Sequence, residues 1–349
     1  MKKFIAKLLL AVLPIAIYAG IFVAFEPNDY FGLQGKDTMI TRVKQYGASN
    51  INSIILGDSR LAHIDMSLVN TTAGREYYNL AFGGASLEES IDLVYFAKKA
   101  NPKLNEVVLG LSFYTLNASY NTQNRISTIE KQLKNPIAYM SNLQYNTQLA
   151  TALLGALRGV PLQEGVETSE HTKEDYEQNG EALPYRKDLI AYASVLYNKC
   201  AKPNTLTLAK PTQDATLAGI NANEISAAQL ANEMLKVTKS SSLWSVNEQQ
   251  LMRLCELGDY CKANDIKLYF VLPPMDISVR ELVCVPLGID KAMLDVIEKL
   301  KANDAIVLDY EWTNAPSYKD TQYYDGFHLD TVHGLPQWTK TLFTDIIKG

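Results

Sequence analysis

Lysine and arginine form no cluster in these 349 residues that would suit a phosphate backbone, and the formal charge is -5. Nucleic acid is therefore not expected as a partner, because its recognition needs grouped cations. There is no C-x-x-C pair and no Cys/His grouping at zinc spacing, so neither a structural metal nor a cofactor is expected. Internal repeats and low-complexity tracts are also missing. With 47% hydrophobic and 20% charged residues, the chain is neither disordered nor fibrous. Its length allows one substantial core and an inserted subdomain. Cysteine is scarce: Cys200, Cys255, Cys261 and Cys284 leave three pairings open, and both a disulfide and buried free thiols stand as readings.

What the chain does have is a long apolar run near its start. Lys2, Lys3 and Lys7 precede Leu8 to Phe25, which is long enough to cross a bilayer with modest thinning or help from its flanks. Pro14 is tolerable there, since membrane helices re-bond the freed carbonyl locally. Ala16 and Ala19 are three apart, so they do not form the small-x-small site of a cleaved signal. The expectation is a single-pass anchor over 1–26 with a cytoplasmic N-terminus and an extracytoplasmic remainder. A cleaved signal and a buried soluble helix are the alternatives. Residues 27–50 read as a polar stalk and lead-in.

A β-α-β rhythm follows. Ser53–Leu56 reads as a buried strand and Glu106–Ser112 as one nearly continuous in apolar character, as central parallel strands are; Glu76–Leu80, Lys267–Leu272 and Ala305–Leu308 read as the other strands. Helices are expected over 87–100, opened by a Ser86/Glu89 capping box, and over 246–264, 290–302 and 336–347. The expected architecture is α/β: a three-layer, flavodoxin-like sandwich on a mainly parallel five-stranded sheet spanning 51–349. From about 114 to 242 the rhythm lapses into Asn-, Gln-, Thr- and Tyr-rich sequence with amphipathic patches. This reads as a helical insertion forming a wall or cap beside the site.

The chain is organised around Asn52 to Arg60, N-S-I-I-L-G-D-S-R. A strand broken by Gly57-Asp58-Ser59 places a serine at its carboxyl end, where open α/β sheets collect ligands. The helix that follows would turn free N–H groups toward an oxyanion. Ser59 is thus a candidate nucleophile; the plainer reading is a serine that only caps the helix. Of the four histidines, His63 would lie along that helix and His171 sits in a charged loop. Asp325 and His328 stand three apart on a Gly-containing loop, and Asp330 and His333 form a second D-x-x-H. Phe327 and Leu329 favour His328, since a catalytic imidazole needs a partly apolar setting. A serine hydroxyl needs such a base, and the base an orienting acid. The many tyrosines, Tyr114, Tyr139, Tyr145, Tyr310 and Tyr323 among them, suit sugar rings but more often pack.

Gly57-Asp58-Ser59 after the first strand, Gly83-Gly84 after the second and Asp325-x-x-His328 before the last helix resemble, in order, the motifs of the SGNH, or GDSL-type, hydrolase superfamily. The resemblance implies Ser59 as nucleophile, His328 as base, Asp325 as its partner, and the amides of Ser59 and Gly83 or Gly84 as oxyanion hole. The family's G-x-N-D block after the third strand is replaced here by Gly110-Leu111-Ser112-Phe113-Tyr114, so the third oxyanion donor is missing or supplied by Ser112 or Asn117. Arg60 could meet an anionic substrate group or only a carboxylate. With the anchor and the Tyr-Asp-Gly-Phe-His-Leu motif, the chain is more similar to the membrane-anchored branch. That branch includes the D-alanyl transfer protein of teichoic-acid modification and alginate O-acetylation accessory proteins. It implies acyl transfer or ester hydrolysis on a cell-envelope glycopolymer beside a membrane-bound O-acyltransferase. A non-catalytic module that binds polymer or docks such an enzyme is the alternative.

Overall fold

The computed structural model describes residues 2–118, 124–158, 244–275, 280, 284–285, 288–303, 305–313, 318, 322–323 and 328–349. The chain divides into two compact units, one of Met1–Ser49 with Arg125–Glu170 and one of Asn50–Asn124 with His171–Gly349.

The first unit begins with α1 (Lys2–Phe25), in which Lys3–Phe25 is long and apolar enough to cross a membrane and is almost wholly exposed. Side chains such as Leu9, Leu10 and Ile15, each about two-thirds exposed or more, would each gain roughly 1.5–3 kcal/mol on leaving water. The segment after α1, whose composition reads as a stalk, is packed instead. Tyr30 and, on α2 (Met39–Ala48), Ile40, Val43 and Tyr46 are buried. They belong to the same unit as α6 (Ile126–Lys134), α7 (Pro136–Met140) and α8 (Leu143–Leu157) from the start of the expected insertion. Tyr139 is the centre of this packing. Its ring stacks on Tyr30 at 4.3 Å and takes Phe22 edge-on at 5.7 Å, and its hydroxyl donates to the buried Glu26 carboxylate. Described residues 124–158 contain helix and no strand; residues 119–123 and 159–242 of the expected insertion lie outside the described residues.

The second unit is a five-stranded sheet of order β2-β1-β3-β4-β5, parallel at every pairing. Its strands are β1 (Ser53–Leu56), β2 (Tyr78–Asn79), β3 (Glu106–Gly110), β4 (Lys267–Leu272) and β5 (Ile306–Asp309). This order is the flavodoxin-like one, as an SGNH-like sandwich requires. On one face pack α3 (Ser59–Ala62), α4 (Met66–Ala73) and α11 (Gly334–Lys348), sharing with the sheet a core that includes Leu61, Val69, Tyr269, Trp338 and Phe343. α5 (Leu87–Ala100), α9 (Glu248–Ala263) and α10 (Ile289–Ala302) form the other helical group. The Ser86/Glu89 capping box is formed as expected. β3 runs into a 3-10 turn over Phe113–Leu116, and Asn117 bridges Val246 antiparallel, so the two ends of the insertion are tied together at its base. β1 and β3 are the strands at which the order reverses, and the crevice outside their carboxyl ends is the expected ligand position.

Candidate active site

Gly57 ends β1 with φ +143°, a conformation that L side chains rarely adopt, and a Cβ there would also press on Gly110 Cα at 3.3 Å. The chain turns at once into α3. Its cap is Asp58, whose carboxylate accepts from Arg60 N, so the Ser59 hydroxyl is not needed for capping. Ser59 Oγ instead lies 2.7 Å from His328 Nε2, although 269 positions separate the two residues.

The described residues on either side of His328 are held in place. Tyr323 bridges Leu329 antiparallel, and Asp330 N donates to Gln322 O at 2.9 Å. Asp330 is fully buried and its carboxylate accepts from the N–H groups of Val332, His333 and Gly334, fixing the start of α11. His333 belongs to this anchor: its Nδ1 lies 3.2 Å from Asp330, and its side chain is 65% exposed. The structure therefore brings His328 to the serine and leaves the competing D-x-x-H histidine at the helix start. His63 ends α3. Asp325 and His171 lie outside the described residues.

Gly334 shows how tightly this segment is seated. A Cβ there would meet Gln322 O at 2.2 Å, a backbone atom that cannot swing away. Gly334→Ala should therefore cost roughly 1–3 kcal/mol as an overpacked site does, and should loosen His328 from Ser59. A lower melting temperature together with a fall in turnover is the expected outcome; an unchanged protein would mean that the segment is not so constrained.

Behind the serine lies a buried polar network. Asp58 accepts from the hydroxyls of Ser112 and Tyr114, and Arg60 lies 3.7 Å from Asp58 and donates to Ser112. Arg60 also points its guanidinium at the carbonyls of Leu111 and Pro273. Burial raises the Asp58 carboxyl, but the Arg60 charge and the Ser112 and Tyr114 hydroxyls outweigh it and hold the pKa below its ordinary value. Arg60 and Ser112, which the sequence offers for substrate or oxyanion contact, are 6% and 2% exposed and are engaged within the protein. Asn117, 1% exposed, accepts from Ser245 N at the insertion base. Gly83 and Gly84 lie exposed in a turn closed by Ala85 N donating to Phe82 O, with Gly84 at φ +68°. Phe82 N donates to Gly57 O, so this turn is tied to the strand end that carries Ser59.

Glu311, just past β5, is a buried group that the sequence reading passed over. One of its oxygens accepts from Met275 N, and Arg280 Nη1 stands 3.9 Å from the other. Burial pushes its carboxyl up to about 8, against the pull of the Met275 N–H, Arg280 and Arg60. The folded state therefore holds this proton where the unfolded chain has lost it, and stability falls as pH rises from about 4.5 toward about 8. The loss is about 5 kcal/mol at about 1.4 kcal/mol per pH unit. Glu311→Gln keeps the acceptor and removes the titration, so its melting temperature should decline less than the wild type's between about pH 5 and pH 9. Equal declines would contradict the assignment. Tyrosines near the expected loops pack in the ordinary way: Tyr323 is buried and Tyr310 donates to Asp345.

No family model matches the chain, and no curated protein matches it. Among solved structures, a Bacteroides fragilis NCTC 9343 protein whose description as an acylhydrolase is itself provisional aligns over 90% of this chain and 98% of its own, with 10% identity and a TM-score of 0.39. That degree of likeness assigns no residue and no activity, so what the site does rests on its own geometry: a serine and a histidine in hydrogen-bond contact at the switch point of a parallel sheet.

Proposed function

We propose that the chain is an SGNH-type serine acyltransferase or esterase, membrane-anchored and extracytoplasmic, that modifies a cell-envelope glycopolymer through an acyl-enzyme on Ser59. The observation that carries the reading is the 2.7 Å approach of Ser59 Oγ to His328 Nε2. In the proposed reaction His328 Nε2 accepts the hydroxyl proton as Ser59 Oγ attacks the acyl carbonyl, and the leaving alcohol takes that proton when the tetrahedral intermediate collapses. The Ser59 amide and those of Gly83 or Gly84 receive the oxyanion, and Asp325 orients the imidazole. A sugar hydroxyl resolves the acyl-enzyme in transfer, water in hydrolysis. A membrane-bound O-acyltransferase beside α1 is the proposed source of acyl groups.

Mixing the purified full-length protein with an activated acyl ester tests this reading. An ester-linked acyl group on Ser59, discharged faster by added polymer than by water alone, supports transfer, and discharge unaffected by polymer supports hydrolysis. Absence of acylation would remove the enzyme reading. The second reading, a module that binds polymer or docks the acyltransferase, draws on the Ser112 hydroxyl donating to Asp58 and on Asn117 Oδ1 accepting from Ser245 N, so that among the described residues neither is assigned as the third oxyanion donor. Polymer binding that survives Ser59→Ala, without acylation of the wild type, would select it.

A further inference from the structure

α8 lies against the apolar helix. Tyr18 of α1 donates to Met140 O at 2.7 Å and to Asn146 Oδ1 at 2.8 Å, and a groove of about 740 Å³ runs between the two helices. Its walls are apolar, with Leu10, Leu13, Ile17 and Ile21 on α1 and Leu149 and Leu153 on α8. Leu10 lies about 22 Å along the helix from Phe25, well within a hydrocarbon layer about 30 Å thick. A neighbour that lines the same groove is carried toward that depth.

The sequence of this neighbour suits such a place. From Asn135 to Leu157 there is no charged residue, and Lys134 and Arg158 bracket the stretch. Three of its large apolar side chains are turned outward, Ile137 76%, Leu143 81% and Leu154 54% exposed, a costly arrangement in water. Its polar groups are largely satisfied inside the helix. Thr147 and Thr151 hydroxyls donate to the carbonyls of Leu143 and Thr147, and Asn146 Nδ2 to those of Met140 and Asn142. Hydroxyls bonded back onto their own helix are what a hydrocarbon setting demands. Gln144 and Gln148 are exposed and share one strip of α8.

We propose that α7–α8 is a second membrane element, immersed beside α1 in the bilayer, with a phospholipid acyl chain in the groove between the two helices. The proposal goes beyond the acyl-transfer reading and is independent of it; it needs only that α1 enters the bilayer. Its test uses full-length protein in phosphatidylcholine vesicles with plain or chain-brominated lipid, read by tryptophan emission. Trp244, Trp312 and Trp338 are buried in the sheet-containing unit, so wild type supplies the background. Leu10→Trp reports on α1, Leu154→Trp on the outer face of α8, and Leu153→Trp on the groove.

The expected result is that brominated lipid removes most of the added emission of all three variants and leaves the wild-type emission unchanged. Quenching of Leu10→Trp without Leu154→Trp would overturn the proposal and spare the anchor. Quenching of Leu154→Trp without Leu153→Trp would overturn the acyl chain in the groove. Quenching of none would overturn the proposal and the anchor together.

Discussion

Ser59→Ala and His328→Ala should each abolish nearly all turnover, a loss on the order of a million-fold, because a triad nucleophile and its base are useless singly. Their double variant should be no worse than either alone. His333→Ala is the control: its imidazole faces Asp330 at the start of α11 rather than the serine, so much of the activity should remain. A dead His333→Ala with an active His328→Ala would assign the base to the wrong histidine. Wild-type acylation by Ser59→Ala would remove the enzyme altogether. Asp325→Ala should cost somewhat less than the loss of serine or base, as the orienting acid does in such triads.

The second large effect is on stability. Asp58→Ala strips the carboxylate from beside Arg60 and leaves the Ser112 and Tyr114 hydroxyls without their acceptor, all in a region only a few per cent exposed. Removing one partner of a buried pair leaves an uncompensated charge, so the expected loss is about 3–5 kcal/mol. The same change also removes the cap of α3 and slackens the turn that presents Ser59. Arg60→Leu in the Asp58→Ala background should restore part of the loss, since the stranded charge is gone. Denaturant midpoints decide this: purely additive losses would mean that the two residues do not act as a pair. Because Asp58 titrates below its ordinary value, its contribution is present above the usual carboxylate range and lost as pH falls through the lowered folded-state pKa. Glu311 acts in the opposite sense, its contribution being lost as pH rises from about 4.5 toward about 8.

Much of the sheet could be read from the sequence because parallel strands are buried on both faces. That burial makes β1, β3 and β4 apolar runs of the right length, bounded by glycine, proline or polar residues, and the partly buried edge strand β5 keeps the same character. β2 was read too long, since only Tyr78 and Asn79 pair with β1 at the sheet edge. α5 could be located closely because its capping box is a local signal. The packed nature of residues 27–48 was not legible. Tyr30, Ile40, Val43 and Tyr46 are scattered among polar residues, and the Tyr139 and Gln132 groups that meet Tyr30 lie about a hundred positions away.

The candidate site divides in the same way. Gly57-Asp58-Ser59 is a local turn with local consequences, so a serine at a strand end could be read directly. The contact with His328 depends on a loop far along the chain, and two D-x-x-H spacings competed for it. Asp58 was read only as part of a turn, because its partners Ser112 and Tyr114 come from the far side of a strand crossover. Glu311 had no sequence signal, since nothing local distinguishes a glutamate that folds into an apolar setting from one at the surface.

The most direct test of the central claim is labelling of the full-length protein with a fluorophosphonate probe at neutral pH, followed by mass analysis of the peptides. A serine activated by His328 should carry the phosphonyl adduct at Ser59, and labelling should be lost in His328→Ala and kept in His333→Ala. A folded protein in which Ser59 stays unmodified, or is modified equally without His328, would contradict the account.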